Sequence, residues 1–330
     1  MIECKLGFGP MSTEIIEILC QWTIDRNHPL MIIASRNQVD KRNSYVCTTR
    51  ELRRIISLSG SKNVFMCRDH CGPYFKDHDK GLSLQDAVSA VKETIDEDLE
   101  NHIDVIHVDI SQIKEDQFNY GAELIEYILK QNPNIILEFG AEENIGISSE
   151  IETLRQELQF VKNYSNNVRF IVSQTGSLVK ETQVGQFDIK LTSTIASEIH
   201  SHGYLLKEHN ADYLTSNEII KRKIAGVDAL NIAPQLGCMQ TLTTMKLATK
   251  NGELSEWNNF ANTVISNKKW ERWKSLKKFD PVSAVISAGH YHFNSRNYKS
   301  LVNKIGQDRF LAELKSGVYN ILDGYTEFSR

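Results

Sequence analysis

Eight short apolar segments, each followed by a segment with helical spacing, recur along the first 237 residues of this chain. Runs of four to six apolar residues are typical of parallel strands that are buried on both faces. Eight strand–helix units in a region of this length match the size of a (β/α)8 barrel. A doubly wound open sheet is the alternative, but it usually has fewer strands and an early glycine-rich phosphate loop. We therefore predict an α/β protein with a (β/α)8 TIM barrel. The apolar runs are 2–8, 30–34, 63–67, 105–108, 135–139, 168–172, 203–206 and 229–233.

The pattern changes at about residue 240, where the series of strands ends. Trp257, Trp270 and Trp273 lie in a polar segment rich in Lys and Asn, and 318–325 has helical spacing. We therefore predict a barrel over residues 1–239 and a helical C-terminal extension over 240–330 that packs on it.

The overall composition bears on location and partners. The net charge is −4, so there is no basic field to attract nucleic acid or an anionic membrane. No apolar run reaches the roughly 18 to 20 residues that cross a bilayer, and the N-terminal segment does not have the pattern of a signal peptide. The six cysteines are scattered, which favours reduced thiols. We expect a cytoplasmic protein that binds neither nucleic acid nor membrane.

Polar and ionisable residues follow at least six of the apolar runs. In (β/α)8 barrels the chemistry takes place at the C-terminal ends of the strands. Any one of these residues could be a helix cap or a satisfied structural group. Together they indicate a site, because buried charges cost several kcal/mol unless they are paired or bound to metal. They include Arg36, Asn37, Asp69, His70, His107, Asp109, Ser111, Glu142, Glu143, Gln174, His209 and Asn210.

Within this set, His70, Glu142 and His209 form a plausible set of ligands for a divalent metal, most naturally zinc. Asp69 would then be available to carry a proton. A metal at the barrel mouth polarises a carbonyl or stabilises an enediolate, which suits aldol cleavage, isomerisation or epimerisation of a ketose.

Two other groups of residues could bind a metal but have simpler interpretations. Cys67 and Cys71 form a C-x3-C pair, and strand alternation would place both thiols on one face. No second cysteine pair follows, so buried small side chains are the favoured interpretation. His290 and His292 could form a second ligand pair, but a packed lid of aromatic and histidine side chains over the barrel is favoured.

Seven motifs occur in an order that resembles the GatZ/KbaZ family, the D-tagatose-1,6-bisphosphate aldolase subunit of the class II aldolase superfamily. The resemblance spans about 2–237, and HYHFNSRNYKSL at 290–301 is similar more loosely to an aromatic-rich segment of that family. The motifs are SRNQVD at 35–40, RDHCGP at 68–73, IHVDIS at 106–111, FGAE at 139–142, SQTG at 173–176, EHNADYLT at 208–215 and LNIAPQL at 230–236.

The resemblance implies one of two functions. In the first, the chain is a metal-dependent aldolase, or a related ketose epimerase, acting on a phosphorylated sugar such as tagatose 1,6-bisphosphate. In the second, it is a non-catalytic subunit that stabilises a partner aldolase. The retained His70 and His209 favour the enzyme, whereas Gln174 stands where a sixth-strand His ligand is expected and favours the subunit. A homo-oligomer is also consistent with this class of barrel.

For the enzyme, the resemblance also implies roles for individual residues. Asp69 and Glu142 would be catalytic, with Glu142 also a candidate metal ligand beside His70 and His209. Substrate would be bound by a further set, in which Arg36 or Arg296 would hold a phosphate; the alternative for Arg296 is a surface or packing arginine. This set comprises Arg36, Asn37, Asp109, Gln174, Asn210 and Arg296.

Overall fold

The computed structural model describes residues 4–142, 148–180, 183–274 and 280–329 of the chain. Numbered in chain order, the strands are β1 (Leu6–Phe8), β2 (Leu30–Ser35), β3 (Val64–Cys71), β4 (Val105–Asp109), β5 (Ile136–Gly140), β6 (Val168–Val172), β7 (Ser177–Lys180), β8 (Gln183–Gly185), β9 (Leu205–Glu208) and β10 (Ala229–Ile232). Eight of them form a closed parallel barrel in the order β1-β2-β3-β4-β5-β6-β9-β10, and β10 pairs with β1. The predicted (β/α)8 barrel is therefore confirmed. The two remaining strands, β7 and β8, form a short antiparallel hairpin after β6 that the apolar runs did not predict.

A helix follows each barrel strand, and several begin at capping side chains. The side chains of Ser12, Thr48 and Ser83 each accept a hydrogen bond from the backbone N–H three residues later. Among the described residues, no helix is long and apolar enough to cross a membrane. The helices of the barrel are α1 (Thr13–Arg26), α2 (Thr49–Ser59), α3 (Leu84–Glu100), α4 (Gln117–Gln131), α5 (Ile151–Val161), α6 (Ile189–Ser201), α7 (Ser216–Ile224) and α8 (Pro234–Asn251).

The strands are buried on both faces, as their continuous apolar runs predict. One face packs against the helices in a large core, and the other encloses a small cluster inside the barrel. Cys67 belongs to the inner cluster and Cys71 to the outer core, so the expectation that both thiols share a face is wrong. The reason is an irregularity of β3 between Arg68 and Cys71, which shifts the alternation. All six cysteines are free and buried, as expected.

Among the described residues, the elements that follow the barrel are helices. They are α9 (Leu254–Asn267), α10 (Pro281–Ala288), α11 (Arg296–Ile305) and α12 (Gln307–Ser329), with short 3-10 helices at Lys269–Arg272 and Gly289–His292. Helix α12 packs against α1, α7 and α8. The domain boundary predicted at residues 239 and 240 falls within α8, and the division into two domains stays a prediction.

Candidate metal centre

The end of β3 is built so that two consecutive residues face the barrel mouth. In a regular strand, neighbouring side chains point to opposite faces. Here the register with β4 shifts between Arg68 and Cys71, and His70 adopts a left-handed conformation with φ +48°. Gly72 then passes so close to β4 that a Cβ atom would lie 1.6 Å from the carbonyl oxygen of Asp109. This bulge is what allows Asp69 and His70 to enter the same site.

Four side chains meet at the mouth: Asp69 and His70 of β3, His107 of β4, and His209, which directly follows β9. Each offers a ligand atom, and these atoms all lie within 4.8 Å of one another. Oδ1 of Asp69 lies 3.5 Å from Nδ1 of His107 and 3.8 Å from Nε2 of His209, and Oδ2 lies 3.6 Å from Nε2 of His70. Among the described residues, this is the only group of three or more such side chains that could hold a metal ion.

Neighbouring groups orient the three imidazoles. Nδ1 of His70 lies 2.6 Å from Oδ2 of Asp109, and because a carboxylate can only accept, Nδ1 carries the proton. Nε2 of His209 lies 3.0 Å from Nδ2 of Asn231, whose amide donates and keeps that nitrogen unprotonated. Nδ1 of His107 accepts from the backbone N–H of His70 at 3.3 Å. The His70 contact is the type that orients a metal-binding histidine, because the second ring nitrogen donates outward. The contacts of His107 and His209 fix their rings through nitrogens that accept.

Two features of the four-residue group suit a divalent cation: it has polar atoms without hydrogen-bond partners, and its side chains are donors that metals take. Oδ1 of Asp69 and Nε2 of His107 are buried and have no hydrogen-bond partner among the residues that the structure describes, although buried polar atoms are nearly always paired. Three imidazoles and a carboxylate are the donor types that zinc takes in proteins. The residues present therefore fit a metal such as zinc.

The electrostatics of the group are those of closely coupled acids and bases. Burial alone would raise the pKa of Asp69, but the charge of His70 is the largest opposing cause, and that pKa lies below its usual range. Burial alone would lower the pKa of His70, but Asp69 and Asp109 raise it to about 9. Burial lowers the pKa of His209 well below its usual value, so this ring is neutral, the form that binds a metal.

The group opens into a pocket of about 220 Å³. Glu142, Gln174 and Asn210 line this pocket with Asp109, as the sequence suggests for a single site. Glu142 stands apart from the four clustered side chains; it accepts a hydrogen bond from the hydroxyl of Ser149, and burial raises its pKa. Nε2 of Gln174 donates to the carbonyl oxygen of Glu142 at 3.2 Å. Glu143, also singled out in the sequence, lies outside the described residues.

Three expected substrate-binding residues do not line this pocket. Arg36 is 1% exposed and its guanidinium lies 2.5 Å from Asp79, so it forms a buried ion pair, and its phosphate-binding role stays a prediction. Asn37 bridges the backbone of Phe75 and Asp77, so it shapes the loop after β3, and its substrate-binding role stays a prediction. Arg296 is an exposed residue at the start of α11.

His107 belongs to the group, but the sequence interpretation did not assign it as a ligand. The signal was present, because strand alternation in VIHVD puts Val105, His107 and Asp109 on one face. Val105 packs in the inner cluster, which makes that face the barrel interior. Gly140 on the next strand leaves space for the ring: a Cβ there would lie 3.0 Å from Nε2 of His107.

His290 and His292 lie in the 3-10 helix Gly289–His292, outside the four-residue group. The buried ring of His290 packs among Tyr45, Trp273 and Tyr291, with centroids 4.1 to 5.8 Å apart. His290 thus lies in an aromatic cluster, and a lid over the barrel stays a prediction.

Comparison with known proteins supports the fold. No protein-family model matches the chain, and no curated protein matches it in sequence. It is similar to the structure of a probable tagatose 6 phosphate kinase from Sinorhizobium meliloti 1021, with 15% identity, a TM-score of 0.79 and coverage of 98% of this chain and 99% of that one. It is also similar to the fructose-bisphosphate aldolase (Fba) from Campylobacter jejuni, with 10% identity, a TM-score of 0.60 and coverage of 99% and 90%. The YdjI aldolase from Escherichia coli K12 has 12% identity, a TM-score of 0.53 and 92% coverage of both chains. At these identities the likeness shows a shared (β/α)8 fold.

Proposed function

We propose that this chain is a metal-dependent aldolase of the class II type, which reversibly cleaves a carbon–carbon bond in a phosphorylated ketose such as tagatose 1,6-bisphosphate. The observation that carries the proposal is the group of His70, His107 and His209 around Asp69 at the C-terminal end of the barrel strands. Two proteins with the same fold are named as aldolases, and ordered motifs of this chain resemble a sugar-bisphosphate aldolase family.

In this proposal the three imidazoles of His70, His107 and His209 hold a zinc ion, and Asp69 stays free for proton transfer. This ligand set replaces Glu142 of the sequence-based set with His107, because Glu142 stands outside the four-residue group. Three is the number of protein ligands in catalytic zinc sites. A zinc ion bound by these histidines would supply Lewis-acid polarisation of the substrate carbonyl.

The residues of the chain then move the protons. Asp69 is a carboxylate at neutral pH, since its pKa is lowered, and it accepts the proton of the hydroxyl on C4. As that O–H bond breaks, the C3–C4 bond cleaves, C4 leaves as an aldehyde, and the electron pair delocalises from C3 into the C2 carbonyl. Glu142, whose pKa is raised mainly by burial, lies on the pocket wall and returns a proton to C3. The same residues act in reverse for aldol addition.

The experiment that tests the proposal measures zinc content and turnover together. Zinc is measured by elemental analysis in the wild type, in His107→Ala and His209→Ala, and in His202→Ala, an exposed control outside the site. We expect one zinc per chain in the wild type and the control, and loss of zinc in the two site variants with the fold retained by circular dichroism.

Turnover is measured as release of aldehyde from a panel of phosphorylated ketoses. We expect activity in the wild type and, in Asp69→Asn, a loss of at least about a hundredfold, as is usual for a proton-transfer residue. A wild type that neither contains nor binds zinc would contradict the proposal. A zinc-loaded wild type that cleaves no ketose would favour the alternative of a non-catalytic subunit, tested by adding a partner class II aldolase.

A further inference from the structure

The loop between β9 and α7 carries His209 and has an unusual backbone. Asn210 and Tyr213 both adopt left-handed conformations with φ +58°, which residues other than glycine seldom take and which need support from their surroundings. Some of that support comes from the barrel. The Ala211 N–H donates to the carbonyl of Asn231, and Oδ1 of Asp212 accepts from two N–H groups at the start of α8.

The remaining support comes from the last helix of the chain. The hydroxyl of Tyr325 in α12 donates to the carbonyl oxygen of Ala211 at 2.6 Å and accepts from the N–H of Leu214 at 3.2 Å. Oε1 of Gln235 lies 3.2 Å from the same hydroxyl and accepts from the N–H of Tyr213 at 2.8 Å. One hydroxyl therefore joins both sides of the His209 loop.

Tyr325 is itself held rigidly. It is buried, and its ring meets Phe8 of β1 edge to face at 6.0 Å. Two residues earlier in α12, Asp323 accepts hydrogen bonds from Trp22 and Arg26 of α1. Helix α12 is therefore fixed to the barrel wall on one side and presents the Tyr325 hydroxyl to the His209 loop on the other.

We propose that Tyr325 is a positioning residue for the metal centre: its hydroxyl holds the His209 loop in the conformation that binds metal, so that α12 and the centre stabilise each other. This inference rests on the metal site of the proposed function. Tyr325 touches none of the reacting groups. It contacts the loop through the backbone of Ala211 and Leu214, two and five residues from His209.

The test compares Tyr325→Phe with Tyr319→Phe. Both variants remove one hydroxyl from α12, but that of Tyr319 donates to Asp25 on the surface of α1, away from the loop. Zinc affinity is measured by competition with a chromophoric chelator. We expect Tyr325→Phe to bind zinc about tenfold more weakly, at the low end for groups that support metal ligands, and Tyr319→Phe to match the wild type.

A second measurement uses the wild type alone and so does not depend on how the variant folds. Coupling between two sites is reciprocal, so zinc should slow hydrogen exchange in peptides from 209–215 and from 319–329. Peptides from α9 serve as the internal control. A wild type that fails to bind zinc would overturn the proposed function. Zinc binding with equal affinity in Tyr325→Phe, or with no added protection in 319–329, would overturn the role of Tyr325.

Discussion

Nδ1 of His70 lies 2.6 Å from Oδ2 of Asp109, and Oδ1 of the same carboxylate accepts from the backbone N–H of Ser111. The carboxylate is thus anchored to the backbone and leaves one oxygen to fix the imidazole. The position of this carboxylate makes Asp109 a support for the His70 ring. This role adds to the substrate-binding role that the family resemblance implies.

Replacing Asp109 with Asn should weaken zinc binding by about tenfold to a hundredfold, the range for carboxylates that orient metal-binding histidines. The amide keeps the size of the side chain but loses the charge that stabilises the Nδ1–H tautomer of His70. Asp116→Asn is the matched control, because Asp116 is exposed and its left-handed backbone suits Asn. Equal zinc affinity in all three proteins would contradict this role.

Zinc affinity should rise with pH between about 6.5 and 9. The pKa of His70 is raised to about 9 in the metal-free protein, so a proton must leave before the ring can bind metal. One displaced proton gives at most about a tenfold gain in affinity per pH unit.

The raised pKa of His70 also affects the stability of the metal-free protein, which should fall as the pH rises while the zinc affinity increases. Because the folded-state pKa is above the unfolded one, the stability contributed by protonated His70 is complete below about pH 6.5 and is lost as the pH rises through 9. Titrations at several pH values, with denaturant unfolding of the metal-free protein, measure both slopes. A zinc affinity that does not change with pH would show that zinc binding displaces no proton from His70.

Gly72→Ala should disrupt the centre and destabilise the fold by more than about 3 kcal/mol. A Cβ at this position would lie 1.6 Å from a backbone oxygen, so β3 or β4 would have to move. Gly324→Ala in α12 is the control, because its Cβ meets no atom within 4 Å. Since Ala favours a helix over Gly by about 1 kcal/mol, the control should melt at the same or a higher temperature. A Gly72→Ala protein that melts with the wild type would contradict the close approach.

Lys207 and Glu138 form an ion pair inside the barrel, with Nζ 2.5 Å from Oε1 and neither side chain exposed. Removing one partner should cost about 3 to 5 kcal/mol because the other charge stays buried and unpaired. Replacing both, in Lys207→Met with Glu138→Gln, should recover most of that loss. Denaturant unfolding of the two single variants and the double variant measures this coupling. Additive losses would mean that the pair does not act as a unit.

His290 should make the protein sensitive to acid. Burial lowers its pKa to about 3, below its unfolded value near 6.5, so the stability that depends on its neutral ring is complete above pH 6.5 and is lost as the pH falls toward 3. Between pH 6.5 and 4.5 this amounts to about 2 to 3 kcal/mol. His290→Phe should be less sensitive over that range by this amount. Parallel pH dependence of the free energy of unfolding in both proteins would contradict the prediction.

The barrel could be predicted because its signal is local and repeated. The run at 168–172 coincides with β6, and most other runs match a barrel strand to within a few residues. Each strand must be apolar on both faces to lie between helices and a filled interior, so the pattern is present in the chain itself. The β7–β8 hairpin has no such requirement, and its residues gave no comparable pattern.

The site was less predictable because it depends on contacts between distant residues. Asp69, His70 and His209 were recognisable as polar residues at strand ends. Arg36 has the same appearance, but its partner Asp79 is 43 residues away, and only the fold shows that the pair is buried. The bulge at His70, which brings consecutive side chains to one site, is a property of backbone packing around Gly72 that strand alternation cannot express.

The hydrogen bond between Tyr325 and Ala211 spans 114 residues and ends in the last helix of the described chain. During synthesis the His209 loop therefore leaves the ribosome long before the hydroxyl that completes its support. A nascent chain can close its eight-stranded ring while this loop still lacks two of its hydrogen bonds. At the proposed metal centre, tight metal loading would then be a late event in biogenesis, and fragments that end before α12 should compete poorly for a scarce ion in the cell.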